Sequence, residues 1–454
     1  MTAPALAPAS GPRRIAWFSP MPPSSSGIAA YSAEILPWLR ERGLAVDVYT
    51  DPDHGAAPPP GTSGAQDFVW RQRRQRYDLV VYQLGNAACH DHMWGYVFRY
   101  PGLVVLHDAQ VHQARAQALL GGWTPRRDDY LAEFAANHPQ APPDAARLIA
   151  EGLGGHLFGL WPHVRLLLQA ARLGAVHSRA LAARLSASHD AAVRAMPMGV
   201  ADPCAAASRL TPADVRARHG LRADDVVVGA FGGLTPEKRL PQLLAAVAAL
   251  APRHPSLHLL LVGSPARHYD VAADAAALGL TDRVHLTGFV SDDELAAHLQ
   301  AADVCACLRW PTNGETSASW LRAVAAGRAT IVTDLAHQPD LPVADPRGWR
   351  ETAPHAIAAA VPILDEAPAL AVAIDELVRS PERRARLGAA ARDYWRAHHT
   401  LDHMGDAYLT VIAEAVSRPA PHPPLPAHLV ATGAERLDAL LAPFGVAVPA
   451  GVAE

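Results

Sequence analysis

Two short segments carry the residues best suited to chemistry on an anionic ligand. In FGGLTPEKRL (231–240), an apolar run ends in two glycines and a polar turn then carries Lys238 and Arg239 into the start of a helix. Free backbone N–H groups at a helix N-terminus beside two cations suit a diphosphate. A plain turn whose cations face water is the alternative, because no full phosphate-loop or dinucleotide pattern is present. In LRWPTNGETSASWLRAVAAGRATIVTD (308–334), Pro311 and Gly314 make a loop and a helix is expected from Glu315 to about Ala326, stopped by Gly327. Thr316 and Ser317 would then offer hydroxyls and N–H groups in the first turn, and Glu315 could accept hydrogen bonds from sugar hydroxyls. Equally, Glu315 could be no more than a first-turn acid favoured by the helix dipole.

Other polar clusters read as weaker candidates. His90 and His92 flank Asp91, but their spacing matches no established metal finger. Gln83 and Asn86, at the end of a strand, are better placed to line an acceptor site. Asp51-Pro52-Asp53 imitates a metal-binding Asp-x-Asp and sits in a Pro/Gly-rich turn. Cys305 and Cys307, two apart on a strand, share one face and read as small buried side chains rather than a redox pair. His398–His399 reads as surface, and the 23 histidines in total as a feature of composition.

These residues need a scaffold, and the chain supplies one twice. Strand-like runs at 13–18, 44–50, 77–83 and 102–107 alternate with helical stretches, including one near 28–42 and a mostly helical region over 125–173. After an Ala-rich passage the pattern restarts: 225–233, 257–264, 283–290, the ADVCACL run and 329–334, with helices between, the first near 239–252. Short Val- and Leu-rich runs of this kind fit strands covered on both faces of a parallel sheet. Two such series predict an α/β chain of two Rossmann-like, doubly wound domains facing across a cleft, with ligands at the carboxyl ends of the strands. The expected division is 1–12 as a flexible start, 13–205 and 206–400 as domains, 401–418 as a helix packing back on the first domain, and 419–454 as a Pro-rich tail with one short helix.

Composition narrows the classes. The 454 residues are half hydrophobic, enough for two cores. Forty Lys and Arg against 44 Asp and Glu give a net charge of -4, which argues against a nucleic-acid partner. Four scattered cysteines make no disulfide framework, and neither a signal peptide nor a spanning helix is apparent, so a cytoplasmic location is expected. A peripheral membrane contact finds no support.

Together the motifs resemble the retaining family-4 glycosyltransferases with the GT-B fold. The 308–334 segment is similar to that family's donor-site helix, FGGLTPEKR to its phosphate turn, and GFVSDDELAAHLQAADV (288–304) to the strand, helix and strand between them. SPMPPSSSGIAAYSAEIL (19–36) resembles its first glycine-bearing loop, and LVVLHDAQ (103–110) its strand with an active-site His. The resemblance spans about residues 13–417. It implies a metal-independent, cofactor-free transfer, with retention, from a nucleotide-sugar donor to a sugar, lipid-linked or small-molecule acceptor. By the same resemblance, Gly27 lets backbone approach the diphosphate or acceptor, and His107 lies beside the transferred sugar. Lys238 neutralises the diphosphate, Glu315 holds sugar hydroxyls, and the backbone at Phe289 and Val290 receives the base. Gly263, Thr316 and Ser317 join the donor contacts.

The chain departs from that pattern at two positions. Gly233 stands where the family has Arg, so Arg239 or Arg309 would supply the second phosphate cation. Arg322 stands where a second Glu would meet the ribose, and Arg cannot accept a hydrogen bond. It lies seven residues after Glu315 rather than eight, which on one helix would place the two on a shared face about 10 Å apart. A sugar-nucleotide epimerase on the same fold and a catalytically silent sugar-nucleotide binder are the rival readings.

Overall fold

The structure, a computed structural model, describes residues 13–24, 26–51, 57–142, 144–205, 209–351, 355–431 and 434–446. It divides into two compact units. One takes the chain to His177, then Ala182–Met196 and the chain from Tyr408; the other takes Ser178–Leu181 and Pro197–Ala407.

The first unit is built on seven strands: β1 (Arg14–Phe18), β2 (Ala45–Thr50), β3 (Ser63–Gly64), β4 (Leu79–Leu84), β5 (Leu103–Leu106), β6 (Leu173–Val176) and β7 (Val193–Ala195). Their order is β3-β2-β1-β4-β5-β6-β7, and every pairing is parallel. Every residue of β4 and β5 is buried, which is why both read as unbroken apolar runs. Helix α1 (Gly27–Glu41) follows β1; Ser26 caps it, its hydroxyl accepting from the Ile28 N–H.

The second unit holds β8 (Val226–Phe231), β9 (Leu257–Val262), β10 (Val284–Gly288), β11 (Val304–Cys307), β12 (Ala329–Thr333), β13 (Val343–Asp345), β14 (Arg350–Glu351) and β15 (Ala358–Val361). Their order is β10-β9-β8-β11-β12-β15-β13-β14, parallel except for the antiparallel β13–β14 edge. Both faces are covered, and the strand period sorts the side chains. Val228, Ala230, Leu259 and Leu261 enter one core, whereas Val227, Phe231, Leu260 and Val262 enter the other. Cys305 and Cys307 point into that second face together, as their spacing required. Helices α2 (Leu240–Leu250) and α3 (Ala318–Ala325) follow β8 and β11.

In both sheets the strand order reverses once, between β1 and β4 and between β8 and β11. Parallel α/β sheets open a crevice at such a point, because the connections leave to opposite sides. Helix α4 (Leu401–Ser417) is the last long helix, and the chain re-enters the first unit at Tyr408 within it; short helices follow in the expected tail segment, at Ala427–Val430 and Ala434–Leu441. Among the described residues, no helix is long and apolar enough to cross a membrane.

Candidate functional site

The reversal in the second sheet opens into a pocket of ≈ 580 Å³, mouth included, between the ends of β8, β11 and β12 and the start of α3. Its polar lining includes Lys238, Arg309, Glu315, Ser317 and Thr333, and its apolar walls include Phe231, Cys307 and Trp320. Lys238 closes a single 3-10 turn, Pro236–Lys238, and its ammonium donates to the Phe231 carbonyl. That brings Nζ over Gly232, where an added Cβ would lie 2.6 Å from it and push the lysine aside; the φ of +88° at Gly232 separately favours glycine. Burial first, and then the Arg309 guanidinium, push the Lys238 ammonium down to about 7. Cys307 beside it is pushed up to about 12 by burial, which leaves an inert thiol.

The helix expected from Glu315 begins three residues later. Ser317 is the N-cap of α3, its Oγ accepting from the Trp320 N–H at 3.2 Å. A Ser hydroxyl competes well for the free donors of a first turn, whereas the carboxylate two residues earlier folds back on its own loop. Glu315 Oε2 accepts from Thr312 Oγ1 at 2.9 Å and the Asn313 N–H at 2.7 Å. Its Oε1 meets Arg309 Nε at 2.6 Å, an ion pair by distance but without the alignment of a hydrogen bond. Glu315 is thus neither a first-turn acid nor on a helical face with Arg322, which sits half-buried within α3. Thr316 precedes the cap, and of these two hydroxyl residues only Ser317 lines the pocket.

The structure also separates the two cations proposed for the second phosphate contact. Arg239, in a left-handed conformation (φ 58°), is gripped by the buried Glu366 through Nε and Nη2. Arg309 instead lines the pocket, its backbone N–H donating to Thr333 Oγ1 at 2.9 Å. Gly263 (φ +142°) packs so tightly on Gly232 that a Cβ would meet the Gly232 carbonyl at 2.2 Å. Phe289 and Val290 follow β10; the Phe289 ring is 74 % exposed and Val290 packs on the core, and neither lines the pocket. Sequence reading missed His337, which is buried and whose Nε2–H donates to the Glu315 carbonyl at 3.0 Å, steadying the loop from behind.

In the first unit, a buried polar cluster sits at the carboxyl ends of β4, β5 and β6. His107 Nε2 contacts Gln83 Oε1 at 2.8 Å and its Nδ1 faces His177 Nε2 at 3.2 Å; the Tyr31 ring stands edge-on at 4.6 Å. Tyr408, brought in by α4, takes hydrogen bonds from Tyr31 at 2.8 Å and the Gln83 amide at 3.0 Å. The Met196 carbonyl can only accept, so His177 Nδ1 is protonated. If His107 also donates to Gln83, the inner contact is a hydrogen bond only when the ring pair shares a third proton. Burial, then His177 and His90, hold the His107 pKa well below its ordinary value and oppose that proton. A half-turn of the Gln83 amide, nitrogen to His107 and oxygen to Tyr408, satisfies the cluster with both rings neutral. His177 closes a buried strand in GAVHS, the same signal that marks His107. Tyr408 has no local signal.

Several of the remaining candidates have structural partners. Asp91 pairs with Arg115 at 2.6 Å, Asn86 Oδ1 accepts from the Ala114 N–H, and among the described residues no three His, Cys, Asp or Glu gather as a metal site requires. Of the Asp51-Pro52-Asp53 triplet, Pro52 and Asp53 lie outside the described residues. His398 is exposed as expected, but His399 is half-buried and donates to the Met198 carbonyl at 2.8 Å. Gly27 opens α1, and a Cβ there would meet nothing within 4 Å.

Residues 225–379 match the family of glycosyl transferases group 1. D-inositol 3-phosphate glycosyltransferase of Stackebrandtia nassauensis is 31% identical over 229 residues, 47% of this chain and 48% of that one. The chain spans about half the length of the curated relatives it matches. Sucrose-phosphate synthase of Thermosynechococcus elongatus shares the fold with a TM-score of 0.60 at 21% identity, over 88% of this chain and 99% of that one. HepE of Anabaena, solved in complex with UDP and glucose, shares it with a TM-score of 0.57 at 15% identity over the same shares.

Proposed function

We propose that this chain, which carries a group 1 glycosyl transferase domain and has the GT-B fold of two Rossmann-like domains, transfers a sugar with retention from a nucleotide-sugar donor to an acceptor. The observation that carries the reading is the pairing of opposite chemistries in one pocket: Lys238 and Arg309 stand beside the carboxylate of Glu315 at a strand-order reversal. The two cations and the capped N-terminus of α3 would take the leaving diphosphate, stabilising charge as it develops. Glu315 would accept hydrogen bonds from the sugar hydroxyls, and the backbone at Phe289 and Val290 would receive the base. His107 would lie beside the transferred sugar, and Gly27 would leave space at the N-terminus of α1 for the diphosphate or acceptor. With two side-chain cations for the diphosphate, the reaction would need neither a divalent ion nor a cofactor. The UDP and glucose bound by HepE and the acceptor in the name of the inositol phosphate relative support a nucleotide-sugar donor and a sugar-like acceptor.

The test is incubation with UDP-, GDP-, ADP- and dTDP-sugars, with and without a chelator. Slow release of free sugar that survives chelation is the expected result. Interconversion of the donor would make the protein an epimerase, and binding without turnover would make it a silent binder. Activity abolished by chelation and restored by magnesium or manganese would overturn the metal-free reaction.

A further inference from the structure

We infer that Arg309 and Glu315 form a partner-exchange latch that couples recognition of the diphosphate to recognition of the sugar; this rests on the donor reading of the pocket above. The two carboxylate oxygens of Glu315 are held unequally. Oε2 is committed, with two aligned hydrogen bonds from Thr312 and the Asn313 N–H inside its own loop. Oε1 is buried, lacks any aligned hydrogen bond among the described residues, and meets Arg309 Nε in an off-line ion pair at 2.6 Å. A buried carboxylate oxygen in this state has unused acceptor capacity facing the pocket.

Arg309 is in a matching position. Its backbone is fixed to Thr333, while its side chain stays one-third exposed and close enough to Lys238 to lower that ammonium's affinity for a proton. The guanidinium is held by Glu315 in the same pocket that Lys238 lines, where a phosphate would meet both cations. A diphosphate carries more charge than Glu315 and can engage the guanidinium in a two-pronged contact. Its arrival draws Arg309 away and releases Oε1, which is then free to accept from a sugar hydroxyl. A donor with its sugar attached replaces both lost contacts. A bare nucleoside diphosphate releases Oε1 but offers it nothing. The latch thus favours the intact donor and weakens the product, which speeds product release.

The consequence is an unusual pair of effects from one substitution. Glu315→Gln should tighten a bare nucleoside diphosphate about tenfold, because Arg309 no longer has a competing anion, while slowing transfer. Arg309→Met should weaken the same ligand by ten- to a hundredfold. In the double variant, Glu315→Gln should no longer tighten binding. The experiment is calorimetric titration of the wild type, both single variants and the double variant with the nucleoside diphosphate the wild type binds, with melting temperatures to confirm that each is folded. Unchanged or weaker binding by a folded Glu315→Gln overturns the latch. So does an equal tightening in the Arg309→Met background, which would mean simple charge repulsion. A wild type that binds none of UDP, GDP, ADP or dTDP overturns the donor reading itself rather than the latch.

Discussion

Lys238 is placed to respond to the charge of the diphosphate proposed above. Its ammonium sits near its own neutral point, at about 7, because burial and then Arg309 disfavour the charged form more than Cys307 and the Phe231 carbonyl support it. A diphosphate supplies the missing counter-charge, so binding should draw in a proton when the free side chain has lost one. The sign follows directly. Below about 7 the side chain is already cationic and its own titration no longer moves affinity; above it, affinity for a nucleoside diphosphate should fall, by at most tenfold per pH unit. Titrations between pH 6 and 9 would show this slope, and Lys238→Met should bind weakly with the slope gone. A pH-independent wild type would mean that the ammonium is charged throughout.

At the scale of elements, the start of α3 separates two roles that adjacent residues could have shared. Ser317 caps the helix, so helix stability rests on its hydroxyl, and Glu315 remains free of that duty. Ser317→Ala should therefore lower the unfolding free energy by about 1 kcal/mol, read from urea denaturation, whereas Glu315→Gln should not unwind the helix. If Glu315→Gln proves the more destabilising of the two, the loop bonds to Thr312 and Asn313 matter more than the cap. The same economy recurs at the strand ends. Gly232, Gly263 and Gly288 all adopt positive φ where β8, β9 and β10 stop, a conformation that favours glycine at each strand end.

Across the whole molecule, the histidines set an acid limit. Burial, and then neighbouring imidazoles, drive His112 down to about 2 and His138 to about 3; burial is also the leading cause that holds His90 and His399 at about 4. In the unfolded chain all four would titrate near 6.5. Their folded values are lower, so the native state binds fewer protons than the unfolded one once the pH drops below that point. Stability is full above about 6.5 and is lost progressively as the pH falls toward 4. Glu133, whose burial alone would raise its pKa, is instead held well below the carboxylate range by Arg115, His163 and His428, and so acts only at lower pH. Melting temperatures taken between pH 7 and 5 therefore isolate the histidines and should decline steadily. A flat profile would mean that the imidazoles reach solvent.

The amino-acid sequence by itself determined the class of fold and singled out the two segments, 231–240 and 308–334, that contribute most of the pocket lining in the second unit. Parallel strands covered on both faces must be runs of apolar residues, and a chain that alternates them with helices has few ways to fold. Gly232 and Lys238 were legible because part of what they need is local: a positive φ at the glycine and, for the lysine, a carbonyl seven residues back. Only the tertiary structure decided which charge meets which. Arg239 turned to Glu366, 127 residues on, and left Arg309 as the second cation of the pocket. His107 acquired His177 and, through Gln83, Tyr408 from the last long helix. Nothing in the spacing of those residues encodes the pairings. They arise because the order of strands in a sheet, rather than their order in the chain, sets which strand ends lie side by side.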